Sequence, residues 1–134
     1  MNKGLIWFEI RTSNFIKSIE FYEAVLGVEL EIKHLYLQRV ALFNETGING
    51  CIIEHDEAGK GNGTAVFFKV ADMNESLTQV KLKGGRVETL PGLVKQRDQN
   101  GKEIIGRNRF DDEVGYLSEI KDVDGNCIYL YANS

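Results

Sequence analysis

The chain has 134 residues, of which 43% are hydrophobic and 27% charged, and its net charge at pH 7 is −4. This is the length and composition of a single globular domain, which we place at residues 1–134. Because the chain is acidic and has no basic block, nothing suggests a nucleic-acid backbone as partner and we expect none. No apolar run approaches the ~20 residues of a membrane span. Because no secretory signal is evident, we expect a cytoplasmic protein in which Cys51 and Cys127 are free thiols.

The first predicted element is a strand at residues 5–10. Ile6 and Phe8 alternate with Trp7 and Glu9 along this stretch. Such alternation is typical of a strand with one apolar face and one mixed face. We therefore expect the apolar face to pack against helices and the mixed face to line the other side of the sheet.

A helix and three short strands are predicted to follow. Asn14 is a good N-cap, and the helix runs to about Leu26, where Gly27 ends it. The strand candidates are residues 28–33, 37–43 and 51–55. The next residues, 57–63, are polar and rich in glycine and predict a linker. A first module thus occupies residues 4–56.

The second half of the chain repeats this order. A shift of 58 residues places Asn14 on Asp72 and Gly27 on Gly85. The second module, residues 64–132, is predicted to contain these elements: a strand at 65–70, a helix from Asp72 to about Gly84, and strands at 86–90, 116–120 and 127–131.

An insertion at residues 92–113 makes the second module longer than the first. Asn100-Gly101 is a hairpin signal between two short strand candidates. We interpret the insertion as a solvent-exposed β-hairpin, with a lid or a dimer arm as alternatives. The predicted fold is therefore α+β: two βαβββ modules forming paired curved mixed sheets around a cavity, with the helices on the outer faces.

Six short motifs, taken in their order along the chain, resemble those of a known family. These motifs are Trp7-Phe8-Glu9-Ile10, Phe21-Tyr22, Leu26-Gly27, Gly63-Thr64, Gly84-Gly85 and Asp122-Val123-Asp124-Gly125-Asn126. In this order they resemble the single-domain bacterial members of the vicinal oxygen chelate superfamily, which includes glyoxalase I, bleomycin-resistance proteins and extradiol dioxygenases. The resemblance implies a homodimer, with a cavity either inside one chain or between swapped modules.

The resemblance also implies four strand-borne metal ligands, and these positions fall on Trp7, Ile53, Ala65 and Tyr129. None of the four is an ordinary donor to a divalent metal, so we predict no metal and no other cofactor. If the fourth strand slipped by one residue, Glu54 would point inward with Glu9. That alternative is a metal-dependent lyase or dioxygenase with a non-standard site.

The residues with cavity-facing parity define the predicted binding site. They are Trp7, Glu9, His55, Phe67, Lys69, Tyr129 and Tyr131. Their mixture of rings and charges favours a ligand pocket over a core filled by side chains. Because the metal-ligand set is absent, we expect a binding protein rather than an enzyme, with metal-independent binding of a small apolar or aromatic molecule. Glu9 is the best candidate for a catalytic base, and an ion pair with Lys69 or Arg11 is its structural alternative. A further alternative is a structural or partner-binding subunit whose cavity is filled by these rings.

Overall fold

The computed structural model describes residues 4–35, 38–43, 49–55, 63–97, 100–108 and 110–134. The first module contains, in chain order, β1 (Gly4–Thr12), α1 (Phe15–Leu26), β2 (Glu31–Leu35), β3 (Gln38–Leu42) and β4 (Gly50–Glu54). The second contains β5 (Thr64–Lys69), α2 (Met73–Leu82), β6 (Arg86–Val87), β7 (Gly92–Leu93), β8 (Lys95–Arg97), β9 (Glu103–Ile105), β10 (Tyr116–Lys121) and β11 (Cys127–Ala132). Apart from Gly63, the predicted linker lies outside the described residues.

Both helices begin where their predicted caps stand. The Asn14 side chain accepts a hydrogen bond from the backbone N of Lys17, and α1 ends at Gly27, whose φ of 67° is left-handed. Asp72 caps α2 in the same way by accepting from the backbone N of Glu75. The capping predictions are therefore confirmed. Each side-chain oxygen accepts from a backbone N–H that has no partner within the first turn of its helix.

The two modules join edge to edge into one open sheet. The strand order is β2-β3-β4-β1-β5-β11-β10-β6, and β7 also pairs with β10. The joint is the antiparallel pair of β1 with β5, while β4 and β11 each lie parallel to the first strand of their own module. The α+β prediction is confirmed, with the two predicted sheets continuous and both modules paired within one chain.

The helices cover one face of this sheet. Phe15 and Ile19 of α1 pack on the first module, and Met73 and Leu77 of α2 pack on the second. A separate cluster that includes Trp7 and Phe67 occupies the opposite face, which we call the inner face. Among the described residues no helix is long and apolar enough to cross a membrane.

The insertion contains the predicted hairpin, but residues near both of its ends are buried. Strands β8 and β9 pair on the two sides of Asn100-Gly101 and form a separate two-stranded sheet. Beyond β9, however, the side chains of Asn108 and Phe110 are 3% and 5% exposed. The interpretation of the whole insertion as solvent-exposed was wrong at both of its ends, because Val94 and Phe110 are buried among apolar partners on the inner face.

Candidate functional site

The inner face is built by alternate residues of three adjacent strands. The registers place Trp7 beside Phe67 and Phe67 beside Tyr129. Because alternate strand residues share a face, the whole set is fixed by these pairs. It comprises Trp7, Glu9 and Arg11 of β1, Ala65, Phe67 and Lys69 of β5, and Cys127, Tyr129 and Tyr131 of β11. Six of the seven predicted site residues thus lie on one face. The seventh, His55, follows β4 and is half-buried, and its backbone N–H donates to the backbone carbonyl of Thr12.

An aromatic cluster fills the centre of this face. The rings of Phe67 and Tyr129 stack with centroids 4.6 Å apart, and Phe110 stacks on Phe67 at 5.1 Å. Phe110 also meets Trp7 edge-on at 5.5 Å and Tyr131 at 5.4 Å. The ring of Phe110 is therefore held among three aromatic side chains that belong to the sheet, at separations favourable for aromatic pairs.

Phe110 is carried by a compact turn made of residues 108 and 110–113, which we call the covering turn. Its backbone closes on itself, since Asn108 N donates to Glu113 O and Asp112 N donates to Asn108 O. The Asn108 side chain accepts from Phe110 N and donates to the Tyr131 hydroxyl at 2.8 Å. Asp112 adopts a left-handed φ of 61°, which Asp tolerates better than most residues. The turn is thus ordered by its own hydrogen bonds and by Tyr131.

The carboxylate of Asp111 anchors the covering turn to the sheet. It accepts from Lys69 Nζ at 2.7 Å, from the Tyr131 hydroxyl at 2.6 Å and from Asn133 Nδ2 at 2.9 Å. Burial opposes ionisation of this carboxyl, but the three hydrogen bonds outweigh it, so the pKa of Asp111 lies below its ordinary value. Burial and the bond to Asp111 together raise the pKa of Tyr131. The site therefore holds an ionised carboxylate against a neutral phenol and an ammonium group.

Sequence reasoning missed Asn108, Phe110 and Asp111. The available signal was a single phenylalanine inside an otherwise polar stretch of the insertion. A large aromatic side chain in such a stretch tends to find a buried place. A surface cavity of about 600 Å³ is lined by turn residues, Asp111 among them, and by Arg107 and Val114. The Asp111 side chain itself is 14% exposed.

A second polar group on the inner face surrounds Arg11, whose side chain is 7% exposed. One of its terminal nitrogens lies 3.4 Å from the Tyr129 hydroxyl and 3.8 Å from Glu9 Oε1. Burial acts to lower the pKa of Arg11, but Tyr129 and Glu9 outweigh it and the pKa is raised. Burial and the charge of Glu119 raise the pKa of Tyr129. Glu9 therefore lies in an ion pair with Arg11, whereas Lys69 is engaged by Asp111.

The four positions that the resemblance assigns to metal ligands do not fit a divalent metal. By the 58-residue repeat Glu9 corresponds to Phe67, and these residues pair with Cys51 and Tyr129 respectively. Cys51 is thus the counterpart of Tyr129, and the assignment of Ile53 was wrong by two residues. An indole, a methyl group, a phenol and one buried thiol lack the imidazoles and carboxylates that hold such ions.

The alternative metal site also fails on geometry. Glu54 binds Arg39 at 2.9 Å, and the Arg39 guanidinium lies over the Phe15 ring on the helix-bearing side of the sheet. Glu9 lies on the inner face, so the two carboxylates do not converge. Within the described part of the chain no group of three His, Cys, Asp or Glu side chains could hold a metal ion.

Both cysteines are free thiols, as the sequence predicts. Cys51 is buried, and Cys127 lies half-buried on the inner face with its sulfur 3.5 Å from Glu119. Burial and the charge of Glu119 raise the pKa of Cys127. The thiol form therefore dominates at neutral pH, which leaves Cys127 a weak nucleophile.

Solved structures match this architecture along almost the whole chain, although no protein-family model and no curated protein sequence matches it. A glyoxalase/bleomycin resistance protein/dioxygenase superfamily member from Vibrio splendidus is 13% identical, with a TM-score of 0.57 and coverage of 98% of this chain and 99% of that one. Methylmalonyl-CoA epimerase from Mycobacterium tuberculosis is 17% identical, with a TM-score of 0.55 and coverage of 98% and 88%. A variant of the Streptomyces coelicolor methylmalonyl-CoA epimerase, in complex with 2-nitronate-propionyl-CoA, is 16% identical, with a TM-score of 0.55 and coverage of 100% and 99%. The chain has the vicinal oxygen chelate fold.

Proposed function

We propose that this protein binds a small, flat apolar or aromatic molecule on its inner face without using a metal ion. The observation that supports this proposal is the position of Phe110. Its ring already occupies an aromatic site between Trp7, Phe67 and Tyr131. A site that accepts one planar ring from the chain itself has the shape and polarity to accept another from a ligand.

The covering turn sets the condition for binding. A ligand ring can enter the site only when Phe110 leaves it, so the observed affinity equals the intrinsic affinity reduced by the fraction of open molecules. Among the described residues, the turn makes four hydrogen bonds within itself and four to Lys69, Tyr131 and Asn133. The turn is suited to this movement, because all four outward bonds involve only two of its side chains, those of Asn108 and Asp111. It can therefore move as a unit without unfolding a strand.

The chemistry of the inner face favours binding over metal-assisted catalysis. The positions equivalent to the family's metal ligands carry Trp7, Cys51, Ala65 and Tyr129, so a Lewis-acid role has no donor set here. Glu9 is held against Arg11 at 3.8 Å and serves to orient polar groups of a ligand. The solved structures share the fold at 13–17% identity, so the coenzyme A derivative bound to one of them does not determine the ligand of this chain.

The proposal is tested by titrating the protein with neutral aromatic compounds such as indole and 2-naphthol, with cyclohexanol as a matched non-aromatic control. Trp7 is the only tryptophan and contacts Phe110, so its fluorescence reports directly on the site. At a ligand concentration one hundred times the dissociation constant the stabilisation should be about 2.7 kcal/mol. Phe110→Ala should bind the aromatic compounds more tightly than the wild type does.

Two outcomes would contradict the proposal. If the wild-type protein binds no aromatic compound and its Trp7 emission never changes, the rings fill the inner face as a structural core. If metal-free protein instead takes up one equivalent of Zn²⁺, Ni²⁺ or Mn²⁺ and a Glu9→Gln variant does not, the protein is a metal-dependent enzyme.

A further inference from the structure

We infer that the ligand is an aromatic carboxylate, and that Lys69, Tyr131 and Asn133 form its carboxylate-binding subsite. This inference rests on the proposed function. In the structure the subsite is occupied by the chain's own Asp111, while the adjacent Phe110 occupies the ring site. The two residues together imitate a ligand that carries a ring and a carboxylate.

The subsite presents three donors to one carboxylate. Lys69 Nζ and Asn133 Nδ2 donate to Asp111 Oδ2 at 2.7 Å and 2.9 Å, and the Tyr131 hydroxyl donates to Asp111 Oδ1 at 2.6 Å. The Lys69 side chain is only 10% exposed and Tyr131 is completely buried. Charge-assisted hydrogen bonds of this kind are about twice as strong as neutral ones. Both oxygens of the carboxylate are therefore recognised by groups that belong to the sheet and the C-terminal residues rather than to the covering turn.

The ring site and the carboxylate subsite both adjoin the ring of Tyr131. The Phe110 ring centroid is 5.4 Å from the centroid of Tyr131, and Lys69 Nζ is 5.8 Å from that centroid. The ring and the ammonium group are therefore no more than about 11 Å apart. Given carbon–carbon bonds of about 1.5 Å, a ligand with about one to four carbons between its ring and its carboxylate spans both positions.

The charge of Lys69 makes this site select acids over neutral compounds. When the covering turn leaves, a neutral aromatic ligand fills the ring site but leaves a largely buried ammonium group without its carboxylate, which is costly. An aromatic acid exchanges one carboxylate for another, so the ammonium group stays paired. The released Asp111 is hydrated by water once the turn has left the inner face.

The test compares 4-phenylbutyrate with its neutral isostere 4-phenylbutyramide, using Trp7 fluorescence and isothermal titration calorimetry at low salt. We expect the wild type to bind the acid at least tenfold more tightly than the amide. Lys69→Met should abolish this preference, so that the acid and the amide bind within threefold of each other, and the amide should bind more tightly than it does to the wild type because the turn loses one of its anchors. Asp111→Ala, which removes the internal competitor, should bind the acid at least tenfold more tightly than the wild type. Asp112→Asn, an exposed neighbour in the same turn, should behave as the wild type.

The outcomes separate this inference from the proposed function. Equal binding of the acid and the amide to wild type and to Lys69→Met would overturn the carboxylate subsite and leave aromatic binding intact. Failure of both compounds to bind any variant would overturn the proposed function as well. If Lys69→Met does not fold by circular dichroism, Lys69→Arg should keep the preference for the acid, and the Asp111→Ala result decides independently. An Asp111→Ala affinity equal to that of the wild type would show that Asp111 does not compete for the subsite.

Discussion

Removal of the Phe110 ring is the perturbation that tests the structure most directly. The side chain is 5% exposed, and its ring contacts those of Trp7, Phe67 and Tyr131 at centroid distances of 5.1–5.5 Å. Truncation of a buried phenylalanine to alanine costs about 3–5 kcal/mol of unfolding free energy. Since Phe110 lies in a turn that can partly collapse onto the sheet, we expect Phe110→Ala to lose about 3 kcal/mol.

The assay is urea unfolding followed by far-UV circular dichroism and by the emission of Trp7. The matched control is Phe21→Ala, because the Phe21 side chain on α1 is 58% exposed. The smaller apolar area that Phe21 buries predicts a loss of about 1 kcal/mol. In the native state, Phe110→Ala should also shift the emission of Trp7 to longer wavelength, since water reaches the edge of the indole, whereas Phe21→Ala should not.

Unchanged behaviour of Phe110→Ala would refute this reasoning. If Phe110→Ala lost no more stability than Phe21→Ala and the native emission of Trp7 stayed unchanged, the Phe110 ring would not occupy the inner face in solution. The ring site would then have no internal occupant, and the proposal of an aromatic ligand would lose the observation that supports it.

Three further predictions test the anchor, the packing and a helix cap by urea unfolding. The pKa of Asp111 is lower in the folded state than its ordinary value of about 3.9, so its ionised form stabilises the fold above that pH and the contribution is lost as the pH falls below it. Wild type and Asp112→Asn should therefore lose stability more steeply between about pH 5 and pH 3 than Asp111→Asn, and parallel curves would contradict the anchor. Gly115→Ala should lower the free energy of unfolding by about 1–3 kcal/mol, because its added methyl group would clash with the ring of Tyr131. The control Gly92→Ala places its methyl group in open space and should change the free energy of unfolding by less than about 0.5 kcal/mol. Asp72→Ala should cost about 1 kcal/mol through loss of the α2 cap, and an unchanged midpoint would show that the cap contributes nothing.

The sequence predicts the modules well because their signals are local. Alternation along β1 and β5, the caps Asn14 and Asp72, and the glycine after α1 each depend on neighbouring residues only. The 58-residue repeat then links the two local patterns. Which residues face inward on β1, β5 and β11 followed from this, since parity along a strand is independent of the strand's partners.

What the sequence could not predict depends on contacts between distant residues. The counterpart of Tyr129 on β4 is Cys51 rather than Ile53, because the register of β4 against β1 is set by the length of the connections and not by parity. The place of Phe110 is a similar case. Its partners on β1, β5 and β11 are distant in sequence, and no periodic pattern connects the insertion with them.

The repeat also bears on why the proposed exchange of carboxylates is expected at one end of the inner face and not at the other. The same 58-residue shift places Arg11 on Lys69, so each module carries one buried cation at the equivalent position. The carboxylate near Arg11 is Glu9, a neighbour on the same strand that cannot leave without unfolding β1. The carboxylate at Lys69 is Asp111, which the insertion brings to a strand whose own residues at the matching position provide only Phe67. Because a buried ammonium group needs a counter-charge, the second module depends on the covering turn or on a ligand to supply one. If the proposed acid binds, we therefore expect it to compete at Lys69 and not at Arg11, in the second module.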